Sequence, residues 1–292
     1  MSAHRFVLYQ NFGCKIDYTG GMKTDKNFKP NPLLGQHFIS DNSVLNILSR
    51  TVEKDSTVIE IGAGTGRLTE VLSQNAKKVI ATEIDKRFEK PLEELAKKHN
   101  NVEVLFGDAL SGILDGVIKK ESGKNVWIVS NLPYHITEPF INKIVRFPKI
   151  KMILMVGKKF GIQSQLKNPE DPNYSELSFV CNAFFNISKI AEVTKEAFWP
   201  VPGTDSIILK FSPKAQISVN QKLILSQKYG GMIKNVLMKV FDKNITKNEA
   251  RRKVRAIGLP DEILNKSFSQ LNNNEVKVLA KFLDSMEPLL SS

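Results

Sequence analysis

Between residues 42 and 213, short apolar runs alternate with segments of helical spacing, and this alternation limits the possible folds more than any other feature. The runs are "STVIEIG", "KKVIATEID", "NVEVLFGD", "NVWIVSN" and "IKMILMV". Between them lie "DNSVLNILSRTV", "GRLTEVLSQNA", "FEKPLEELAKKH", "ALSGILDGVIKK" and "TEPFINKIVRF", each with an apolar face. Asp41 or Asn42 would cap the first helix, Pro91 fits a first turn, and Thr137 is placed to cap the last. Strands with no polar alternation are buried on both faces. The order therefore predicts an α/β fold with a mainly parallel sheet between two helical layers. "YSELSFVCNAFF" reads as a further helix, and "SKIAEVT" and "DSIILKFSP" as two final strands joined by the proline-rich "KEAFWPVPGT". That connection suits an antiparallel hairpin better than a parallel crossover.

After Pro213 the alternation stops, and only helical spacing remains in "NQKLILSQKYGGMIKNVLMKVF", "KNEARRKVRAIG", "DEILNKSF" and "NNEVKVLAKFLDSM". Residues 1–33 show no period and contain Gly-Gly and two prolines, which reads as an irregular or partly ordered arm. Three parts are expected: the arm at 1–33, an α/β domain at 34–213 and a small helical domain at 214–292.

Net charge is +12, an excess of Lys and Arg that suits a polyanionic partner, although a solubility charge would look the same. Two cysteines cannot build a disulfide framework or a four-thiolate zinc site, and no metal is expected. No apolar run is long enough to span a bilayer, and the first thirty residues carry no secretory signal pattern. A cytoplasmic monomer outside membranes is the expectation.

In "VIEIGAGTGRLTEV", Gly62, Gly64 and Gly66 lie between a strand and a helix, where glycine permits positive φ and close approach of a ligand. The helix beyond offers free N–H groups. Tight packing alone is the other reading. Arg67 stands where a dinucleotide fingerprint needs glycine, and no Lys-Ser/Thr follows as a P-loop requires. The E-x-G-x-G-x-G form resembles the first motif of S-adenosylmethionine-dependent methyltransferases. Glu83 ends the second strand about twenty residues later, where a carboxylate can accept both ribose hydroxyls of a nucleoside. Asp108 ends the third strand, placed to accept an adenine amino group, to cap the next helix, or both.

"SNLPYHIT" ends the fourth strand on the same edge. Pro133 would end the strand there whatever the function. Methyl transfer to an exocyclic amine, however, needs alignment and two acceptors for the amino hydrogens rather than a strong base. The side-chain oxygen of Asn131 and the main-chain carbonyl of Leu132 could be those acceptors, and Tyr134 could stack on the base. His135 has no evident chemistry.

"LGQHFISD", "EIGAGTGRLTE", "EID", "GDAL", "NLPYHIT" and "AFWPVPGTDS" occur in the order seen in the ribosomal RNA adenine N6-dimethyltransferases, which the chain resembles from about residue 34 to its end. The resemblance implies a Rossmann-like sheet with a C-terminal helical domain, S-adenosylmethionine as cofactor, and ribosomal RNA in the small subunit or its precursor as partner. It implies dimethylation of two adjacent adenosines near the 3′ end of that RNA. It also implies cofactor contacts at His37, Ile39, Gly62, Gly64, Glu83, Asp108 and Asn131, and a target pocket of Asn131, Leu132, Tyr134 and Phe198. Phe198 could instead be a loop anchor, with Trp199 taking the stacking role. Arg251, Arg252, Lys253 and Arg255 would grip phosphates, helped by Lys158 and Lys159, unless they form only a solvated face. Departures from the family pattern lie in "GKKFGIQSQL", which lacks an acid, in Pro202-Gly203-Thr204-Asp205-Ser206, in the "FDKNITKNEA" segment and in the longer arm. Two rivals share much of this pattern: the large-subunit enzyme of macrolide resistance and a non-catalytic assembly factor.

Overall fold

The computed structural model describes residues 29–147, 149–214, 221, 224–225, 231–241 and 245–290, and three short strands nearer the N-terminus. Those strands, β1 (Val7–Tyr9), β2 (Cys14–Ile16) and β3 (Met22–Lys23), form an antiparallel meander. Of the two readings of the arm, these strands go with partial order. Strands of two or three residues are too short to leave a readable period. The rest of the arm lies outside the described residues.

A seven-stranded sheet forms the centre of the fold. Its members are β5 (Thr57–Ile61), β6 (Lys78–Glu83), β7 (Val102–Phe106), β8 (Val126–Asn131), β9 (Lys151–Gly157), β10 (Phe185–Val193) and β12 (Ser206–Pro213), in the order β10-β12-β9-β8-β5-β6-β7. Strands β5 to β9 run parallel and β12 pairs antiparallel with β9. The order reverses direction beside β5, which opens a crevice at the carboxyl ends of β5 and β8. Every residue of β5 is buried, Thr57 and Glu60 included.

The helices around this sheet are α1 (Asn42–Arg50), α2 (Arg67–Ser73), α3 (Glu89–Lys98), α4 (Gly112–Lys120), α5 (Thr137–Ile144) and α6 (Lys158–Gln165). Asp41 caps α1, accepting from Ser43 N–H at 2.7 Å. Two expected caps are replaced. Ser111, not Asp108, caps α4, because Asp108 closes its own turn by accepting from Leu110 N–H. Thr137 is already helical, and its hydroxyl donates to Pro133 O.

One feature of the proline-rich loop left no trace in the pattern. Phe198–Trp199 forms a two-residue strand, β11, antiparallel to β4 (Phe38–Ile39). Ser40 N–H extends this pairing to Ala197 O at 2.8 Å.

By contacts the chain divides into two compact units. The first is Met1–Lys143, Lys149–Gly161 and Ser188–Ser212, and the second is Ile144–Pro148, Ile162–Ile187 and Pro213–Ser292. The second contains α7 (Glu176–Phe184), α8 (Ile233–Phe241), α9 (Lys247–Ala256), α10 (Asp261–Leu264) and α11 (Asn273–Leu290). Phe179 of α7 stacks on Phe268 at 5.1 Å, and Lys277 of α11 donates to the carbonyls of Asp171 and Pro172. Residues 162–187 thus group with the C-terminal helices. Much of 215–230, and 242–244 within "FDKNITKNEA", lies outside the described residues.

Candidate active site

Within the first unit, a cavity of about 290 Å³ opens at the carboxyl ends of the central strands. Its lining includes His37, Ile39, Gly62, Gly64, Glu83 and Asp108, together with Asn131, Leu132, Tyr134 and Phe198. The strand ends thus bring every residue expected in the cofactor and target sites to one place. Arg251, Arg252, Lys253 and Arg255 lie on α9 of the second unit.

The glycine loop forms the floor on one side. Gly62 has φ of 74°, and a Cβ there would project into space free of other atoms, so the missing side chain leaves room for a ligand. Gly64 has φ of 52°, and a Cβ on it would stand 3.1 Å from the Phe38 ring. Phe38 in turn packs edge-on against Phe88 and stacks on Trp199.

Glu83 faces this loop and is nearly buried. One carboxylate oxygen accepts from Gly64 N–H at 2.7 Å, and the other accepts from the N–H groups of Ile84 and Asp85. Burial pushes its carboxyl above the ordinary range, and the three backbone donors oppose that shift. A carboxylate has about four acceptor positions, so beside these three bonds one remains open, fewer than the two that accepting both ribose hydroxyls would need. Asp108 spends one oxygen on Leu110 N–H and keeps the other without a partner among the described residues.

Beneath the loop lies Glu60, a residue whose environment the sequence did not advertise. It is 1% exposed, with Thr69 Oγ1 donating to it at 2.6 Å. Burial, reinforced by the nearby charge of Glu83 and only partly offset by Thr69, pushes its carboxyl up to about 8.

On the target side, Asn131 Nδ2 donates to the main-chain carbonyl of His37 at 2.8 Å. That bond fixes which way the amide points. Its oxygen takes no hydrogen bond from the described residues, which leaves it as an acceptor at the cavity wall. Leu132 is buried, held by its N–H on Met155 O. The Tyr134 ring lies against Gly157, where a Cβ would come within 3.3 Å, and its hydroxyl reaches Ser206 Oγ at 3.0 Å. His37 Nδ1 meets Pro200 O at 2.7 Å. Phe198 is almost wholly buried and Trp199 is drawn onto Phe38, so the cavity wall falls to Phe198. His135 covers Gly35, whose added Cβ would sit 3.2 Å from the imidazole, so its part is packing.

A parallel sheet with its glycine loop, an acid at the end of β6 and a cavity at the switch of strand order defines an S-adenosylmethionine-dependent methyltransferase of Rossmann-like fold. The floor left open by Gly62, the carboxylate of Glu83 and the free oxygen of Asp108 fit a nucleoside cofactor of this kind. The family model described as "Ribosomal RNA adenine dimethylase" matches residues 27–281. The chain belongs to that family. A probable ribosomal RNA small subunit methyltransferase A of Thermococcus sibiricus is 32% identical over 269 residues, covering 88% of this chain and 93% of that protein. The ribosomal RNA small subunit methyltransferase A of Aster yellows witches'-broom phytoplasma is 36% identical over 189 residues, 63% of this chain and 69% of the other. Among solved structures, a dimethyladenosine transferase from Plasmodium falciparum shares the fold with a TM-score of 0.58 and 24% identity, over 85% of this chain and 98% of that one. The 23S rRNA methyltransferase ErmE shares it with a TM-score of 0.53 and 22% identity, over 85% of this chain and 99% of that one.

Proposed function

We propose that this chain transfers methyl groups from S-adenosylmethionine to N6 of adenosines in ribosomal RNA, dimethylating two adjacent adenosines near the 3′ end of the small-subunit RNA. The observation that carries this reading is the Asn131 amide. With its NH2 group held by the His37 carbonyl, its oxygen is the part offered to an amino group.

The bound cofactor supplies a methyl group on a positively charged sulfur. The chain supplies position. Asn131 Oδ1 and the Leu132 carbonyl accept the two amino hydrogens and turn the nitrogen lone pair toward the methyl group. Tyr134 and Phe198 cover the two faces of the adenine, as aromatic side chains hold a base taken out of its stack. Once alkylated, the amine gives its proton to water, so no strong base is needed at the cavity wall. His37 and Ile39 act through the main chain, since both carbonyls are engaged by Asn131 and Arg67.

Residues 34–213 would carry this chemistry and 214–292 the RNA contacts. On α9, Arg251, Arg252, Lys253 and Arg255 are exposed while Ala250 and Val254 face inward. The helix has one acid, Glu249, which is engaged in a capping box with Thr246. None of the four cations has an ion-pair partner among the described residues, an arrangement suited to phosphates. Lys158, by contrast, is paired with Glu192. No helix among the described residues is long and apolar enough to cross a membrane. A cytoplasmic monomer acting on the small subunit or its precursor completes the proposal.

The test is transfer of labelled methyl groups into unmethylated small subunits, followed by mass spectrometry of the RNA. N6,N6-dimethyladenosine at two neighbouring positions is expected. Label confined to large-subunit RNA would support the macrolide-resistance rival, and no label at all would support a binding factor. Asn131→Ala should keep RNA binding and lose at least about 100-fold in transfer, the scale of cost for a misplaced reacting group.

A further inference from the structure

Residues 29–39 form a strap whose part from Leu34 to Ile39 lines one wall of the cavity, and its two ends are held by unlike forces. At Phe38–Ile39 the strap is a strand paired with β11, and Ile39 is buried in the core. That end is a permanent anchor. The other end is held by polar side chains gathered on Asp85, which is buried, with Gln36 half-buried and Arg87 exposed beside it. Gln36 Nε2 donates to Asp85 Oδ2 at 2.7 Å. Gln36 Oε1 accepts from Asn31 N–H at 2.8 Å and from Arg87 Nη2 at 3.2 Å. Arg87 also donates to Lys29 O and grips the Asp85 carboxylate through Nε and Nη2. Leu33, between these bonds, is 86% exposed. This end is held by hydrogen bonds and an ion pair, so its release exposes less apolar surface than release of the Phe38–Ile39 end would.

The same turn serves the cofactor side. Glu83 Oε1 accepts the N–H of Asp85, the residue whose side chain holds Gln36. The strap then runs from this turn to the target side, where the His37 carbonyl orients Asn131. We propose that Gln36, Asp85 and Arg87 are positioning residues that latch the strap closed beside bound cofactor, so that occupancy of the Glu83 clamp and orientation of the target amide are coupled. The latch rests on the cofactor occupying this cavity. Burial would raise the Asp85 carboxyl, but hydrogen bonds from Arg87 and Gln36 hold it below the ordinary range, consistent with an ionised acceptor.

The test is calorimetric titration of the full chain with S-adenosylhomocysteine. Gln36→Glu sets a second carboxylate against Asp85 and should weaken binding about tenfold, within the usual range of coupling between sites. Asp85→Asn should weaken it a few-fold. Combining Gln36→Glu with Asp85→Asn restores a carboxylate–amide pair in reverse order and should bring affinity back to within about threefold of wild type. Melting of the ligand-free proteins should be alike, whereas a merely structural role would lower melting and leave the affinity of folded protein unchanged. Should Gln36→Glu not fold, Gln36→Leu provides the same weakening without added charge. A double variant no tighter than the weaker single one, or variants that all bind as wild type does, would overturn the latch. Wild-type protein that binds no S-adenosylhomocysteine would overturn the cofactor assignment and the latch with it.

Discussion

Replacing Glu60 by glutamine should make the protein more stable, and the gain should grow with pH. In the folded chain this carboxyl titrates near 8 instead of at the ordinary 4.5, because burial penalises its charged form. Below pH 4.5 both folded and unfolded chains carry the proton, and the group costs nothing. Between 4.5 and about 8 the unfolded chain has released the proton and the folded chain keeps it, so stability falls as pH rises. Each unit of separation is worth about 1.4 kcal/mol, which sets a ceiling of about 5 kcal/mol at pH 8. Entry of water on ionisation lowers this to a working figure of ~2–4 kcal/mol. Glutamine titrates nowhere in this range, and its carbonyl can still accept from Thr69. Urea unfolding of wild type and Glu60→Gln, followed by tryptophan fluorescence, measures the difference. Trp127 is fully buried in the central sheet and reports its loss. The gap between variant and wild type should be near zero at pH 4.5 and widest at pH 8. A gap of the same size at both pH values would refute the reasoning, since the paired carboxylates elsewhere are common to both proteins and cancel in the comparison.

Gly64→Ala should destabilise the fold by about 1–2 kcal/mol in urea unfolding: a left-handed backbone costs a side chain that much, and the new methyl meets the Phe38 ring. Replacing Arg251 and Arg252 with glutamine should lower RNA affinity at all sequences and reduce the slope of log affinity against log salt by about 1 for each cation, as read by filter binding from low to moderate salt.

The parallel core was legible because burial on both faces leaves short, mostly apolar runs, as in β8 and β9. The glycine loop, Glu83 and "NLPY" were legible because each closes such a run, and in a parallel sheet those ends share one edge. What escaped notice depends on contacts distant in sequence. Nothing local marks Gln36 as a partner of Asp85, or Arg67 as a donor to the Ile39 carbonyl. Glu60 reads as one more letter of the loop motif until its burial is known. The cap of α4 fell to Ser111 because Asp108 and Ser111 both suit such a position, and only the path of the turn decides between them.

The pairing of β4 with β11 also has a consequence for the order of events as the chain is made. His37 and Pro200, which meet beside that pairing, are 163 residues apart. The glycine loop and the ends of β6 and β8 can assemble as each strand and helix leaves the ribosome. The strap has no strand to pair with until residues 198–199 have emerged. A contact across so long a loop is among the later ones to form. A nascent chain would therefore hold most of the cavity floor before the Phe198 side of its wall is in place.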